Sequence, residues 1–333
     1  MFTPPPLGDE PFHDAIRLAD WVELNLLMEE EPVISATDVT AELAGIPPDD
    51  ADDSERRFAD DGADFSHERS RRGFWEPAED QAESAFSELS RRAGWLKGQY
   101  PLELDGDAAL LHQDMAAQET YRFLVILRAR QLYPGALEDD GTLSGLLFEE
   151  LVKHALGAYV GSTPEHRARF GLAGGHRGDG LPDRLPDAIA QLGGLLHEAR
   201  GDVPSDAHGD FKVDAVAWKP FGDDRPGQLV ILGQATISEG HWMSEEPAKR
   251  WIYRQPPEAR LIQFLARPLT AVAFAETLSL TSADALRGFA GTFSSIPFDR
   301  LRLLSVLRDE DLPTDLRARM NAWSEEMSER LPR

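Results

Sequence analysis

The stretch Phe211–Ile237, FKVDAVAWKPFGDDRPGQLVILGQATI, decides how the second half of this chain folds. Phe211–Phe221 and Gln228–Ile237 are rich in β-branched and aromatic residues, and the GDDRPG between them carries the Gly, Asp and Pro of a turn. Two such runs joined this way form an antiparallel hairpin. If the turn is symmetric about residue 224, Asp214 falls opposite Gln234 with both side chains on one face, and Lys212 falls opposite Thr236. A carboxylate inside an otherwise apolar strand is costly unless it is paired or coordinates a metal. The plain alternative is that both side chains face water on a half-exposed sheet.

The helix ahead of the hairpin sharpens the pattern. In GTLSGLLFEELVKHALGAYV, from Gly141, steps of about 100° per residue put Phe148, Val152, Ala155, Leu156 and Tyr159 on one buried face. Glu149 lies at the edge of that face and Glu150 points away, so Glu149 is the acid expected to reach inward. The ordinary alternative is a boundary acid paired with Lys153 one turn on. Two carboxylates and an amide oxygen, from Glu149, Asp214 and Gln234, are hard ligands of the kind Mg²⁺ or Mn²⁺ prefers.

Elsewhere the periodicity predicts helices over Asp14–Glu31, Glu79–Trp95, Ala108–Leu132, Pro186–Arg200 and Thr314–Leu331. It predicts a third strand over Leu269–Ala275 and a fourth around Arg302–Leu307. Residues 47–72 are rich in Asp, Arg, Gly and Pro, and read as a mobile surface loop. The expected organisation is an acidic, mainly helical region over 1–140, an α+β or α/β core over 141–311, and a C-terminal helix over 312–333.

Composition narrows the chemistry. Without cysteine there is no disulfide, thiolate nucleophile or Cys-based zinc site. No run nears the roughly 18 apolar residues of a membrane span, and MFTPPPLGDEPF lacks a basic region followed by an apolar one, so a cytoplasmic protein with no membrane partner is expected. The net charge of −25 is unevenly spread: residues 1–145 hold 32 of the 59 acidic and 12 of the 34 basic residues, net −20, leaving −5 for the rest. A near-neutral second half can carry a basic groove, although its bulk field does not attract nucleic acid.

A helix bearing an acid, then an antiparallel hairpin with Asp on one strand and an acid or Gln on the next, resembles the PD-(D/E)xK nuclease superfamily. That resemblance covers about Gly145 to Leu307. It implies a restriction-endonuclease-like mixed sheet flanked by helices. It also implies a metal, Mg²⁺ or Mn²⁺, held by Glu149, Asp214 and Gln234, with DNA a more natural substrate than RNA. The family places a lysine two residues beyond the acid or Gln, to stabilise the attacked phosphate. This chain has Thr236 there, so Lys212 across the hairpin, or Lys249 on the following helical stretch, is expected to supply the charge. Around Lys249, the residues Trp242, Arg250, Trp251 and Arg254 interleave aromatic and basic groups as a nucleic-acid-binding helix does, though core packing explains the tryptophans equally well. Asp206, His208 and Asp210 ahead of the hairpin read as a turn.

Two functions follow. One is a metal-dependent nuclease, an antiphage or restriction effector whose acidic N-terminal region docks a protein partner. The other is a catalytically inactive nuclease-fold subunit, binding nucleic acid or a partner in a defence complex.

Overall fold

The computed structural model describes residues 1–5, 11–28, 33–45, 65–112, 118–133, 137, 142–173, 176–203, 209, 211–237, 251–252, 260–278, 295–308 and 311–332. The chain divides into two compact units, Met1–Glu138 with Asn321–Arg333, and Asp139–Met320. Both helices and mixed or antiparallel sheets are present, and the first unit is mostly helical.

The first unit contains α1 (Pro11–Met28), β1 (Val33–Ser35), α2 (Ala36–Leu43), α3 (Phe65–Leu96), β2 (Leu102–Asp105), β3 (Ala108–Leu111) and α4 (Gln118–Leu132). Helix α1 buries Leu18, Trp21, Val22, Leu24 and Leu26 and packs against α3 and α4. Ser35 caps α2 in a capping box with Asp38, satisfying backbone donors that the helix start leaves open. The strands pair antiparallel in the order β1-β3-β2. Ala108–Leu111 is therefore a strand rather than the start of a helix. Its apolar run AALL fits a short half-buried strand as well as a helical turn, and the Gly106 turn at φ +63° directs it back onto β2. Residues 65–72, expected in a loop, have helical backbone at the start of α3; the remainder of the expected loop, 47–64, lies outside the described residues.

This unit also buries a charged network. Arg92, fully buried, donates to Asp20 at 2.9 Å and to Glu88 at 2.9 Å, and lies 2.8 Å from Glu23. Arg128 reaches the other oxygen of Asp20 at 3.0 Å, and the hydroxyls of Tyr100 and Tyr121 each donate to Glu23 Oε1 at 2.6 Å. Every carboxylate here has a cation, which is the condition under which ions tolerate burial.

The second unit begins with α5 (Thr142–Val160), followed by β4 (Arg167–Arg169), β5 (Leu172–Ala173), β6 (His176–Arg177), α6 (Leu185–Leu196), β7 (Ala199–Arg200), β8 (Ala215–Lys219), β9 (Leu229–Thr236), β10 (Ile262–Gln263), β11 (Leu269–Phe274), β12 (Ile296–Phe298) and α7 (Arg300–Val306). The last helix, α8 (Thr314–Ser328), contains the boundary between the units. The main sheet has the order β12-β11-β9-β8-β4. Strands β4, β8 and β9 are antiparallel neighbours, whereas β9, β11 and β12 run parallel.

The two faces of this sheet are covered by different helices. Val216, Trp218, Val230 and Leu232 pack with Leu185, Ile189, Leu192 and Leu196 of α6. Gly233, on the alternate face, lies under Leu156 of α5, so closely that a Cβ would be 2.3 Å from its Cδ1. Phe148, Val152, Ala155 and Leu156 are buried as their helical phase requires, but Tyr159 is half exposed, edge-on to Phe298. The expected fourth strand at Arg302–Leu307 is instead helix α7. Asp299 caps it by accepting the Arg302 N–H at 2.9 Å, and Leu301, Leu303 and Leu304 are its buried face; the strand lies just before it, at Ile296–Phe298.

Candidate functional site

The hairpin register is the one its turn dictates. Lys219 pairs with Leu229 and the ladder ends at Ala215 with Gly233, which brings Asp214 and Gln234 to the end of the same strand pair. There β8 stops behaving as a strand. The N–H of Asp214 donates to Gly233 O at 2.8 Å, while its carbonyl accepts from Phe170 at 2.6 Å and Gly171 at 3.0 Å. In a regular strand one residue's N–H and C=O point to the same neighbour, so Asp214 is a break point. Two consecutive N–H groups on one carbonyl form a β-bulge, which here ends the pairing of β4 with β8.

The break overturns one expectation. Phe211 and Lys212 have φ of 54° and 63°, in the left-handed region, so the chain enters β8 through a turn. Lys212 does not extend the ladder, and the cross-strand position opposite Thr236 is not its own. Thr236 itself is nearly buried and pairs with Phe274 of β11.

Asp214 and Gln234 differ in how their polar atoms are used. Asp214 Oδ2 accepts the Ala235 N–H at 2.8 Å. Gln234 is 8% exposed, on the face of β9 shared by Val230 and Leu232, and its buried Oε1 has no hydrogen-bond partner among the described residues. Buried acceptors are nearly always satisfied, so this oxygen is one of the unexplained buried polar atoms among the described residues.

Glu149 reaches inward, as its helical phase requires, and meets a cation. Its Oε2 accepts from Arg169 Nη1 at 2.9 Å and lies against Gly171, where a Cβ would be 2.6 Å away. The N–H of Gly171 binds the Asp214 carbonyl, so one residue links the surroundings of Glu149 to the end of β8. Glu150, expected to point away, also turns to Arg169, accepting from Nε at 3.0 Å. A guanidinium presents donors along two edges, and two long acids one helical step apart can each take one. Lys153 pairs with Glu150 at 2.6 Å and Asp179 at 2.8 Å, not with Glu149. Asp179 also accepts the Arg169 backbone N–H, which fixes the loop after β6 against β4.

Arg169 was not anticipated from the sequence, although an inward-facing acid on an apolar helix required some cation. Nearby, His154 is buried on α5 with its Nδ1 unpartnered among the described residues; burial, with the positive fields of Arg167 and Lys153, pushes its pKa down to about 3.

Of the other expected residues, Lys249, Arg250, Arg254 and Trp242 lie outside the described residues, as do Asp206, His208 and Asp210. Trp251 is fully buried and packs edge-on to Phe170 with centroids 4.9 Å apart, so it serves the core and not a nucleic-acid surface. Among the described residues no group of three or more His, Asp or Glu is placed to hold a metal ion. The end of the hairpin carries a carboxylate, Asp214, and an amide oxygen, Gln234 Oε1, both of the hard oxygen type that a divalent cation prefers. Glu149 is not among them: it meets Arg169 over the face of the sheet that α5 covers, whereas Gln234 is on the face that α6 covers.

The chain matches no protein-family model, and comparison with curated proteins and with solved structures returns no match. Among the described residues no helix is long and apolar enough to cross a membrane.

Proposed function

We propose that the second unit is a restriction-endonuclease-like domain that hydrolyses phosphodiester bonds, DNA in preference to RNA, with Mg²⁺ or Mn²⁺. The observation that carries this reading is that Asp214 and Gln234, whose Oε1 has no hydrogen-bond partner among the described residues, both follow the last pair of the β8–β9 ladder. The order of elements supports it: a helix with an inward acid, three antiparallel strands β4-β8-β9, then a strand parallel to β9 on its other side. Asp214 and Gln234 would hold the ion. The ion would supply an activated water and offset charge on the phosphate. An antiphage or restriction role in the cytoplasm, with the acidic first unit docking a protein partner, belongs to the same proposal.

The test is direct. Purified full-length protein is incubated with plasmid, single-stranded DNA and RNA in Mg²⁺ or Mn²⁺, beside Asp214→Asn and Gln234→Leu. Cleavage by the wild type that both variants lose supports the proposal; equal cleavage by wild type and Asp214→Asn refutes it.

A second reading, a catalytically inactive subunit that binds nucleic acid or a partner, is favoured by one pair of observations. Arg169 occupies Glu149, and Thr236 stands at the expected lysine position. Binding of DNA without turnover under either ion would select it.

A further inference from the structure

We infer that Arg177 is a positioning residue for Asp214: its guanidinium fixes the bulge that turns the Asp214 carboxylate across the end of β9. The inference rests on the nuclease reading only for the work that carboxylate does, and deepens it by naming what aims it.

Asp214 is held through its backbone from two sides. Its carbonyl takes the N–H groups of Phe170 and Gly171, and the chain arrives from Gly209 through Phe211 and Lys212, whose φ angles are 81°, 54° and 63°. Side chains such as Phe and Lys keep left-handed backbone only where their surroundings impose it. Arg177 reaches both sides. The short β5–β6 hairpin pairs it with Leu172, which folds it back toward Phe170. There Nη1 donates to the Phe170 carbonyl, Nη2 donates to the Gly209 carbonyl at 2.7 Å, and the guanidinium carbon lies 4.5 Å from the centre of the Phe170 ring. A planar guanidinium can fork onto two carbonyls and stack on a ring at once, which no ammonium does. The side chain is 7% exposed, so water does not replace these contacts. The Phe170 ring is fixed in turn by Trp251, edge-on at 4.9 Å. Arg177 therefore ties the turn ahead of β8 to the residue whose N–H holds the Asp214 carbonyl. With the peptide groups around it set, the carboxylate falls on the Ala235 N–H.

The test is amide hydrogen exchange in the full-length protein, read residue by residue. In Arg177→Met the Ala235 amide is expected to exchange at least about tenfold faster, while amides of the ladder between Ala215 and Lys219 keep their rates. In an Asp214→Ala background, where no carboxylate holds that amide, the same substitution is expected to change its exchange less than about twofold. Arg177→Lys keeps a cationic donor and is expected to restore part of the protection. If Arg177→Met does not fold, Arg177→Gln, which keeps a donor for one carbonyl, makes the same comparison.

Unchanged exchange at Ala235, acceleration spread evenly along the ladder, or equal acceleration in the Asp214→Ala background overturns the inference. In cleavage assays Arg177→Met is expected to lower kcat at least about tenfold with KM little changed, and a kcat equal to that of the wild type overturns the positioning role. The nuclease reading fails separately: a wild type that cleaves no nucleic acid refutes it, while the exchange comparison still decides what Arg177 does.

Discussion

Asp214 Oδ2 accepts the Ala235 N–H at 2.8 Å, and in doing so takes the place of the backbone carbonyl that β8 would offer if it ran on. Gly233 uses its carbonyl toward β8, and residues two apart on a strand point their backbone groups the same way, so the Ala235 N–H faces that neighbour too. The carboxylate closes the ladder that the bulge has opened. Asp214 thus has a structural duty alongside its proposed catalytic one, and the two can be separated. Asp214→Ala leaves a shielded N–H without acceptor and is expected to cost about 1–3 kcal/mol in urea unfolding. Asp214→Asn keeps an acceptor oxygen and should stay within about 1 kcal/mol of wild type. Loss of cleavage in this folded Asn variant is then a loss of chemistry.

Gln234 gives the opposite balance. Among the described residues its buried Oε1 has no hydrogen-bond partner, so the fold bears the desolvation of an acceptor with no return from them. Gln234→Leu is expected to be neutral or stabilising by up to about 1 kcal/mol in urea unfolding, while lowering the Mn²⁺ affinity of the full-length protein in titration calorimetry. A substantial loss of stability in Gln234→Leu would mean that the amide is a structural contact and not a ligand.

Which parts of this were readable in the sequence follows from the range of each interaction. The β8–β9 register was set by a short turn and an apolar pattern, both local, and it placed Asp214 beside Gln234. The phase of α5 likewise placed Glu149 inward. Lys212 was misplaced because a register extended past the last pair presumes strand backbone, and two left-handed residues end it. Arg169 was missed because its strand has three residues, too short for alternation to register, and because the acids it pairs with lie about twenty positions earlier. Helix α7 was read as a strand because its leucines satisfy either period, and the Asp299 cap that decides between them is a single side chain.

The buried network of the first unit carries its own expectation. Arg92 is the cation shared by Asp20, Glu23 and Glu88, all of them buried. Arg92→Met takes one cation from each of them, while Arg128 still pairs with Asp20, Arg91 with Glu88, and the Tyr100 and Tyr121 hydroxyls with Glu23. Breaking one side of such a cluster typically costs about 3–5 kcal/mol, which should appear as an earlier urea transition of the first unit. A shift of a few tenths of a kcal/mol instead would show that water enters the cluster and screens it.

His154 makes stability depend on pH in a defined direction. Its folded pKa is about 3, against an ordinary 6.5, because burial and the charges of Arg167 and Lys153 disfavour the imidazolium more than Asp179 favours it. Above 6.5 the ring is neutral in both folded and unfolded chains, and the full contribution is present. Between 6.5 and 3 the unfolded chain takes up a proton that the folded one refuses, so stability falls as the pH falls, by at most about 1.4 kcal/mol per unit. His154→Leu removes the titrating group and fills the same apolar space without an unpartnered Nδ1. The difference in thermal midpoint between this variant and wild type, measured from about pH 8 down to about pH 4, should widen in favour of the variant as acid is added. A difference that stays constant across that range would show that His154 titrates alike in both states, and that the cations beside it do not reach the ring.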